Sequence, residues 1–185
     1  MDEQAAAPPR TEPRVLIPAE EIQRRLAEMA ARIDERYADC DRLLCVGVLK
    51  GSMFFLVDLV RRLSVPVEVD FVQISSYRDG ATRGEAELRK NLDLPTDGRD
   101  VLLVEDIVDS GHSVRALLAA MPLASARSVA VCTMLDKACR REVDVPIAFR
   151  GFEIEDRFVV GYGLDIDERY RELPYVGYFP QEDSE

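Results

Sequence analysis

Residues 101–114 read VLLVEDIVDSGHSV: four apolar residues run straight into Glu105 and Asp106, and a further acid, Asp109, follows close to Gly111. A solvated turn has no need of so much charge beside so apolar a run. The pattern predicts a buried strand, Val101 to Val104, then a tight loop, then a helix starting near Ser113, which is where an open α/β sheet presents its ligand. In the loop DSGHS, 109–113, backbone N–H groups face outward at the positive end of the helix dipole, a geometry that receives a phosphate. The loop lacks the GK[ST] of a Walker motif. The acids before it repel a nucleoside triphosphate while accepting hydrogen bonds from neutral hydroxyls. A phosphate at one end and hydroxyls at the other describe a ribose phosphate.

Outward from this stretch the chain alternates. Strand-like LLCVGV (43–48), helix-like MFFLVDLVRRL (53–63), strand-like VEVDFVQI (67–74), the central strand and helix, and strand-like SVAVCTML (128–135) imply a parallel sheet with crossover connections. Upstream, Ile22, Leu26, Met29, Ile33 and Tyr37 keep helical spacing behind Pro18, predicting an amphipathic helix over 19–37. The polar stretch from Ser75 to about Asp100 is too long for a plain connector, and its first half reads as a mobile functional loop. Residues 1–13, rich in Ala and Pro, read as a disordered tail. The last segment, FRGFEIEDRFVVGYGLDIDERYRELPYVGYF, mixes short strands, aromatics and turns, and suggests a small lobe capping the sheet.

Composition narrows the function. With 185 residues, 47% of them hydrophobic, one domain with a substantial core is expected. A net charge of −11 repels phosphate backbones and anionic membranes, so neither nucleic acid nor membrane is an expected partner. No apolar run approaches the ~20 residues of a bilayer span. The start MDEQAAAPPRTEP has no basic-plus-apolar signal pattern, so a cytoplasmic location is expected. Cys40, Cys45, Cys132 and Cys139 form no CxxC pair and read as reduced, mostly buried thiols. His112 is the only histidine, which removes any multi-histidine metal site.

The central motif resembles the signature of the type I phosphoribosyltransferase family: four hydrophobic residues, two acids, and an acid–small–Gly loop that binds 5-phosphoribosyl pyrophosphate. LKGS (49–52) matches the short loop after the family's first core strand, and SSY (75–77) opens its flexible loop. LDKACRREVDVP and GFEIEDRFVVGYGLDIDERYRELPYVG are similar to the bacterial hypoxanthine/guanine branch, and the likeness runs over roughly residues 15–179. It implies an α/β fold with a doubly wound, mainly parallel central sheet, one domain over 14–185, and a hood lobe largely from 146–180 plus the N-terminal segment. It also implies transfer of the 5-phosphoribosyl group to hypoxanthine and/or guanine, giving IMP or GMP and pyrophosphate.

Residue by residue, the resemblance places Glu105 and Asp106 on the ribose hydroxyls and Asp109 on the purine ring nitrogen 7 as the catalytic proton donor or acceptor. Ser110, Gly111, His112 and Ser113 surround the 5′-phosphate, with His112 as a neighbour of that group. Lys50 and Gly51 lie in the pyrophosphate-side loop, which in the family can hold a cis peptide, and Arg171 matches a pyrophosphate-contacting arginine. Lys137 donates to the purine 6-oxo group, Phe158 stacks on the base, and Val159 and Asp165 complete the purine side. Ser75, Ser76 and Tyr77 belong to a lid. Mg²⁺ meets Asp165, directly or through water, and Glu105 and Asp106 largely through substrate hydroxyls, because a pyrophosphate leaving group needs its charge neutralised. The family forms dimers and tetramers, so a homodimer or homotetramer is expected. The alternative for Asp109 or Ser110 is a role as the N-cap of the helix. Two other functions stay open: a xanthine/guanine-preferring relative, and a sensor of phosphoribosyl pyrophosphate on the same fold, although such a nucleic-acid-binding regulator needs a basic face.

Overall fold

A computed structural model describes residues 12–75 and 87–180. The expected tail up to residue 11, and the lid residues Ser76 and Tyr77, lie outside these described residues; Ser75 is the last residue of a strand.

Strand β1 (Arg14–Ile17) leads into helix α1 (Ala19–Arg36), which buries Ile22, Leu26, Met29, Ala30 and Ile33 along one stripe. Pro18 stands at its start with φ −65°, the value its ring imposes and a helix entry accepts. Then come β2 (Leu43–Leu49), α2 (Met53–Val60), β3 (Val67–Ser75), β4 (Glu87–Lys90), β5 (Asp100–Val108), α3 (His112–Ala120), β6 (Ser128–Asp136), β7 (Ile147–Glu153), β8 (Val159–Val160) and β9 (Val176–Tyr178). Six strands form one sheet in the order β4-β3-β2-β5-β6-β7, all parallel except β4.

Both faces of this sheet are covered, which is why its central strands read as unbroken apolar runs. Successive side chains of β2 and β5 alternate between the two layers. Leu43, Cys45, Leu102 and Val104 pack with Ile22, Leu26, Phe55 and Leu59 of α1 and α2. Leu44, Val46, Val101 and Leu103 pack with Val114 and Leu117 of α3. Fully burying one such Leu or Val stabilises the fold by about 1.5–3 kcal/mol.

The order of the strands fixes where a ligand belongs. From β2 the chain moves outward to β3, then returns to place β5 on the other side of β2, with Gly47 opposite Val104. The sheet therefore changes direction between β2 and β5, and the crevice beyond their carboxyl ends is the ligand position of a doubly wound fold.

Two expectations are corrected. Strand β5 does not stop at Val104: Glu105 and Val108 still pair with Thr133 and Asp136 of β6, so the acids are carried by the strand itself and only residues after Val108 form the loop. The lobe does not begin at 146. Strand β7 is the edge of the main sheet, paired with β6, and the small second sheet consists of β1, β9 and β8, all antiparallel. The half-buried alternation of β7 looks like that of a peripheral strand in either sheet. Among the described residues, no helix is long and apolar enough to cross a membrane.

Candidate active site

Glu105, Asp106, Asp109, Ser110, Gly111 and Ser113 line one pocket of about 230 Å³ at the carboxyl end of β5. A larger groove, about 490 Å³, runs between β1, β9 and the end of β7 and contains none of these residues. The smaller pocket is the chemical one, because it gathers acids and free backbone donors.

Glu105 is buried, and its Oε2 has no hydrogen-bond partner among the described residues. Burial, reinforced by the neighbouring Asp106 charge, pushes its carboxyl well above the usual range. Asp106 is lifted to about 6, chiefly by burial, while N–H donors from Ile107 and its own backbone pull the other way. Two acids held this far from water want hydrogen-bond donors, and hydroxyl groups of a sugar supply them without adding charge.

Past Val108 the chain turns through Asp109 and Ser110 into Gly111, whose φ of +91° favours glycine. A Cβ at Gly111 would also stand 2.7 Å from the Val143 carbonyl oxygen. Gly111 is the residue that caps α3, and no side chain makes a capping hydrogen bond there, so neither Asp109 nor Ser110 serves as the helix cap. Among the described residues, the N–H groups of Ser110, Gly111, His112 and Ser113 donate to no protein acceptor. They remain free at the positive end of α3, which suits an anion.

Asp109 is surrounded by cations. Lys137 Nζ lies 3.7 Å from its Oδ2, and Arg140 Nε lies 3.2 Å from its Oδ1, without hydrogen-bond geometry. Lys137 is buried at the end of β6, its N–H donating to the Val108 carbonyl. Asp156 faces the same two cations, 3.8 Å from Lys137 Nζ and 3.3 Å from Arg140 Nη1.

On the other side stands the loop after β2. The Leu49–Lys50 peptide bond is cis. A Cβ on Gly51 would overlap the Asp106 carboxylate, and a Cβ on Gly163 would overlap the Gly51 carbonyl oxygen, so two glycines allow three segments to stack. Lys50 Nζ reaches Glu168 at 3.0 Å, and Arg171 joins the same group, 2.8 Å from Asp165 and 3.3 Å from Glu168, while donating to the Gly163 carbonyl at 2.7 Å.

The fold thus unites Glu105, Asp106, Asp109, Ser110, Gly111 and Ser113 in one pocket, sets Lys137 against Asp109, and joins Lys50 to Arg171 and Asp165 through Glu168. His112 points away from this group, exposed and 2.9 Å from Glu142. Phe158 is 61% exposed, an aromatic left in water, and Val159 is buried in β8. Glu168, Asp156, Arg140 and Arg141 were not anticipated. The adjacent Arg140 and Arg141, three and four residues after Lys137, were the visible hint. Cys40, Cys45 and Cys132 are buried free thiols and Cys139 is exposed; burial raises the Cys45 thiol to about 12, which keeps it protonated.

Among the described residues, no cluster of three or more His, Cys, Asp or Glu side chains is arranged to hold a metal. The carboxylates of Glu105, Asp106 and Asp165 nonetheless suit a hard cation that takes most of its oxygens from a substrate, and the unpartnered Glu105 oxygen is consistent with that.

The chain is similar to known proteins over most of its length. The sequence profile named phosphoribosyl transferase domain matches residues 18–167. The chain is 50% identical over 165 residues to the hypoxanthine phosphoribosyltransferase of Salmonella typhimurium, covering 88% of this chain and 93% of that one. It is 43% identical over 165 residues to the hypoxanthine-guanine phosphoribosyltransferase of Bacillus subtilis, covering 89% and 91%. The crystal structure of a hypoxanthine phosphoribosyltransferase from Staphylococcus aureus superposes with a TM-score of 0.85 at 38% identity, covering 90% of each chain.

Proposed function

The chain belongs to the phosphoribosyl transferase family, and from that premise we propose that it moves the 5-phosphoribosyl group of phosphoribosyl pyrophosphate to hypoxanthine and/or guanine in purine salvage. It is a transferase of the pentosyl type. The observation that carries the reading is the pair of adjacent acids, buried Glu105 and half-buried Asp106, next to the four free N–H groups of residues 110–113.

In this reading the 5′-phosphate sits on the N–H groups and hydroxyls of Ser110 to Ser113, and the ribose hydroxyls donate to Glu105 and Asp106. Purine nitrogen 9 bonds to the anomeric carbon as the bond to pyrophosphate breaks, through a cationic, oxocarbenium-like transition state that the two acids favour electrostatically. Asp109 exchanges the proton at nitrogen 7, Lys137 donates to the 6-oxo group, Phe158 stacks on the ring, and the Val159 carbonyl meets the 2-position. Lys50, Gly51 and Arg171 receive the pyrophosphate. Asp165, Glu105 and Asp106 would hold Mg²⁺ together with substrate oxygens, and the ion would supply charge neutralisation for the leaving group. Residues 14–185 act as one domain, with β1, β8 and β9 as its hood. Two or four copies associate; support comes from α2, which leaves Met53, Phe54 and Val57 in water.

The test is pyrophosphate release with saturating phosphoribosyl pyrophosphate and Mg²⁺, using hypoxanthine, guanine, xanthine and adenine in turn. Turnover of hypoxanthine or guanine, absent with adenine and abolished by a chelator, is expected. Turnover of adenine, or of no base, would overturn the reading, and a preference for xanthine would move its specificity.

A further inference from the structure

The two carbonyls before α3 are both tied to one short segment. The Asp109 carbonyl accepts from Arg141 Nη1 at 2.7 Å. The Ser110 carbonyl accepts from the N–H groups of Glu142 at 3.0 Å and Val143 at 3.1 Å. A planar trans peptide holds its C=O and its N–H on opposite sides. Drawing these carbonyls toward 141–143 therefore turns the N–H groups of Ser110 and Gly111 the other way, where they join those of His112 and Ser113 as free donors. The Glu142 and Val143 bonds are made by main chain and ask nothing of the sequence. The Arg141 bond is made by a side chain and depends on its identity.

Arg141 is itself fixed. Its other terminal nitrogen pairs with Asp136, the last residue of β6, whose buried carboxylate also meets Arg150 Nε at 2.9 Å. The guanidinium fork therefore spans a rigid strand end and the phosphate loop, a two-sided grip that a single ammonium cannot reproduce. Without it the Asp109 carbonyl is free to rotate inward, presenting the negative end of its dipole to an anion.

We propose that Arg141 is a positioning residue for the phosphate subsite: it touches no substrate, and it holds the Asp109 peptide so that the loop N–H groups converge on a sugar 5′-phosphate. The inference rests on the proposed function above.

Full-length wild type, Arg141→Gln and Arg141→Lys are compared by calorimetric binding of ribose 5-phosphate, of IMP and of pyrophosphate with Mg²⁺, together with steady-state kinetics. Loss of one charged hydrogen bond predicts about 10- to 100-fold weaker binding of ribose 5-phosphate and IMP in both variants. Pyrophosphate, which faces Lys50 and Arg171, keeps its affinity, and the KM for phosphoribosyl pyrophosphate rises by more than the KM for hypoxanthine. Asp136→Asn, which weakens the anchor but leaves Arg141 in place, shows the same selectivity with a smaller loss, and serves if the Arg141 variants fold poorly. Wild-type affinity for ribose 5-phosphate in a folded Arg141→Gln protein would overturn the inference, as would an equal loss of pyrophosphate binding, which marks a general structural role. If the wild type neither binds IMP nor forms it, the functional reading and this inference fall together; turnover by the wild type with unaffected variants removes only the inference.

Discussion

Asp106→Asn should make the ligand-free protein more stable at pH 8 while weakening its hold on phosphoribosyl pyrophosphate. Burial, opposed by the Ile107 N–H and the Arg171 charge, lifts the Asp106 carboxyl from 3.8 to about 6. Since the folded-state value lies above the unfolded one, the favourable contribution of this group is complete below pH ~4 and is lost as the pH rises through about 6. That interval corresponds to about 3 kcal/mol at ~1.4 kcal/mol per pH unit. Water reaching a partly buried side chain reduces it, so the expected gain on replacing the charge is about 1–3 kcal/mol at pH 8. Asparagine keeps an oxygen for the Ile107 N–H, now 2.8 Å away, so no bond is lost to offset the gain. In a chain of this size the gain is worth about 2–10 °C in Tm. The assay is thermal and denaturant unfolding of both proteins from pH 4.5 to pH 8 without ligand, read as the difference between them, because other carboxylates titrate in both. The difference should be near zero at pH 4.5 and largest at pH 8. Adding phosphoribosyl pyrophosphate and Mg²⁺ should reverse the order, because only the wild type gains the full binding free energy. A variant less stable than wild type at pH 8, or an advantage unchanged across the range, would refute the reasoning.

Three further outcomes are expected. Lys137→Gln should weaken use of 6-oxopurines by about 1.5–3 kcal/mol while leaving phosphoribosyl pyrophosphate binding nearly intact, since the donor serves the base alone; equal losses on both ligands would remove the assignment. Asp109→Asn should lower the single-turnover rate of nucleotide synthesis by about 10²–10⁴-fold with little change in thermal unfolding, and a wild-type rate would leave nitrogen 7 to water or another residue. Gly51→Ala, whose Cβ would overlap the Asp106 carboxylate, should destabilise the protein by about 1–3 kcal/mol and raise the KM for phosphoribosyl pyrophosphate, checked by Tm and steady-state kinetics; normal values for both would contradict the packing of this loop.

The parts of the molecule visible in the sequence are those where side-chain pattern and backbone state agree. The stripe of α1 was legible because burial follows period there, and β2 and β5 because strands covered on both faces read as unbroken apolar runs. Strand β5 seemed to end at Val104 because periodicity registers side chains, while the strand continues through its backbone pairing with β6 as far as Val108. The same limit hid the site's tertiary contacts. Lys50 and Glu168 are 118 positions apart, and the stacking of Gly51 and Gly163 helps bring their segments together. Arg141 was missed for a related reason: its partners are a carbonyl and a strand-end carboxylate, neither of which leaves a mark in residue order.

The charge of the site bears on why a metal belongs to the proposed reaction. An acidic chain of net charge −11 offers no long-range attraction to a ligand rich in phosphate. Locally, the cations are already engaged: Lys50 with Glu168, Arg171 with Asp165, Lys137 and Arg140 with Asp109 and Asp156. A polyphosphate entering here competes with internal carboxylates for each of them, so protein charge alone makes a poor receptor. Free N–H groups at the start of α3 avoid that competition, because they carry no counter-ion to displace and need only a phosphate to satisfy them. At the opposite end of the proposed ligand, the nearby Asp165 charge adds to the burial that raises the Asp106 carboxyl, and a divalent cation there would relieve that repulsion and the charge of the pyrophosphate together. The division of labour in the proposed reaction would then be set by chemistry: backbone dipoles would hold the phosphate that stays, and the carboxylates with a divalent cation would serve the group that leaves.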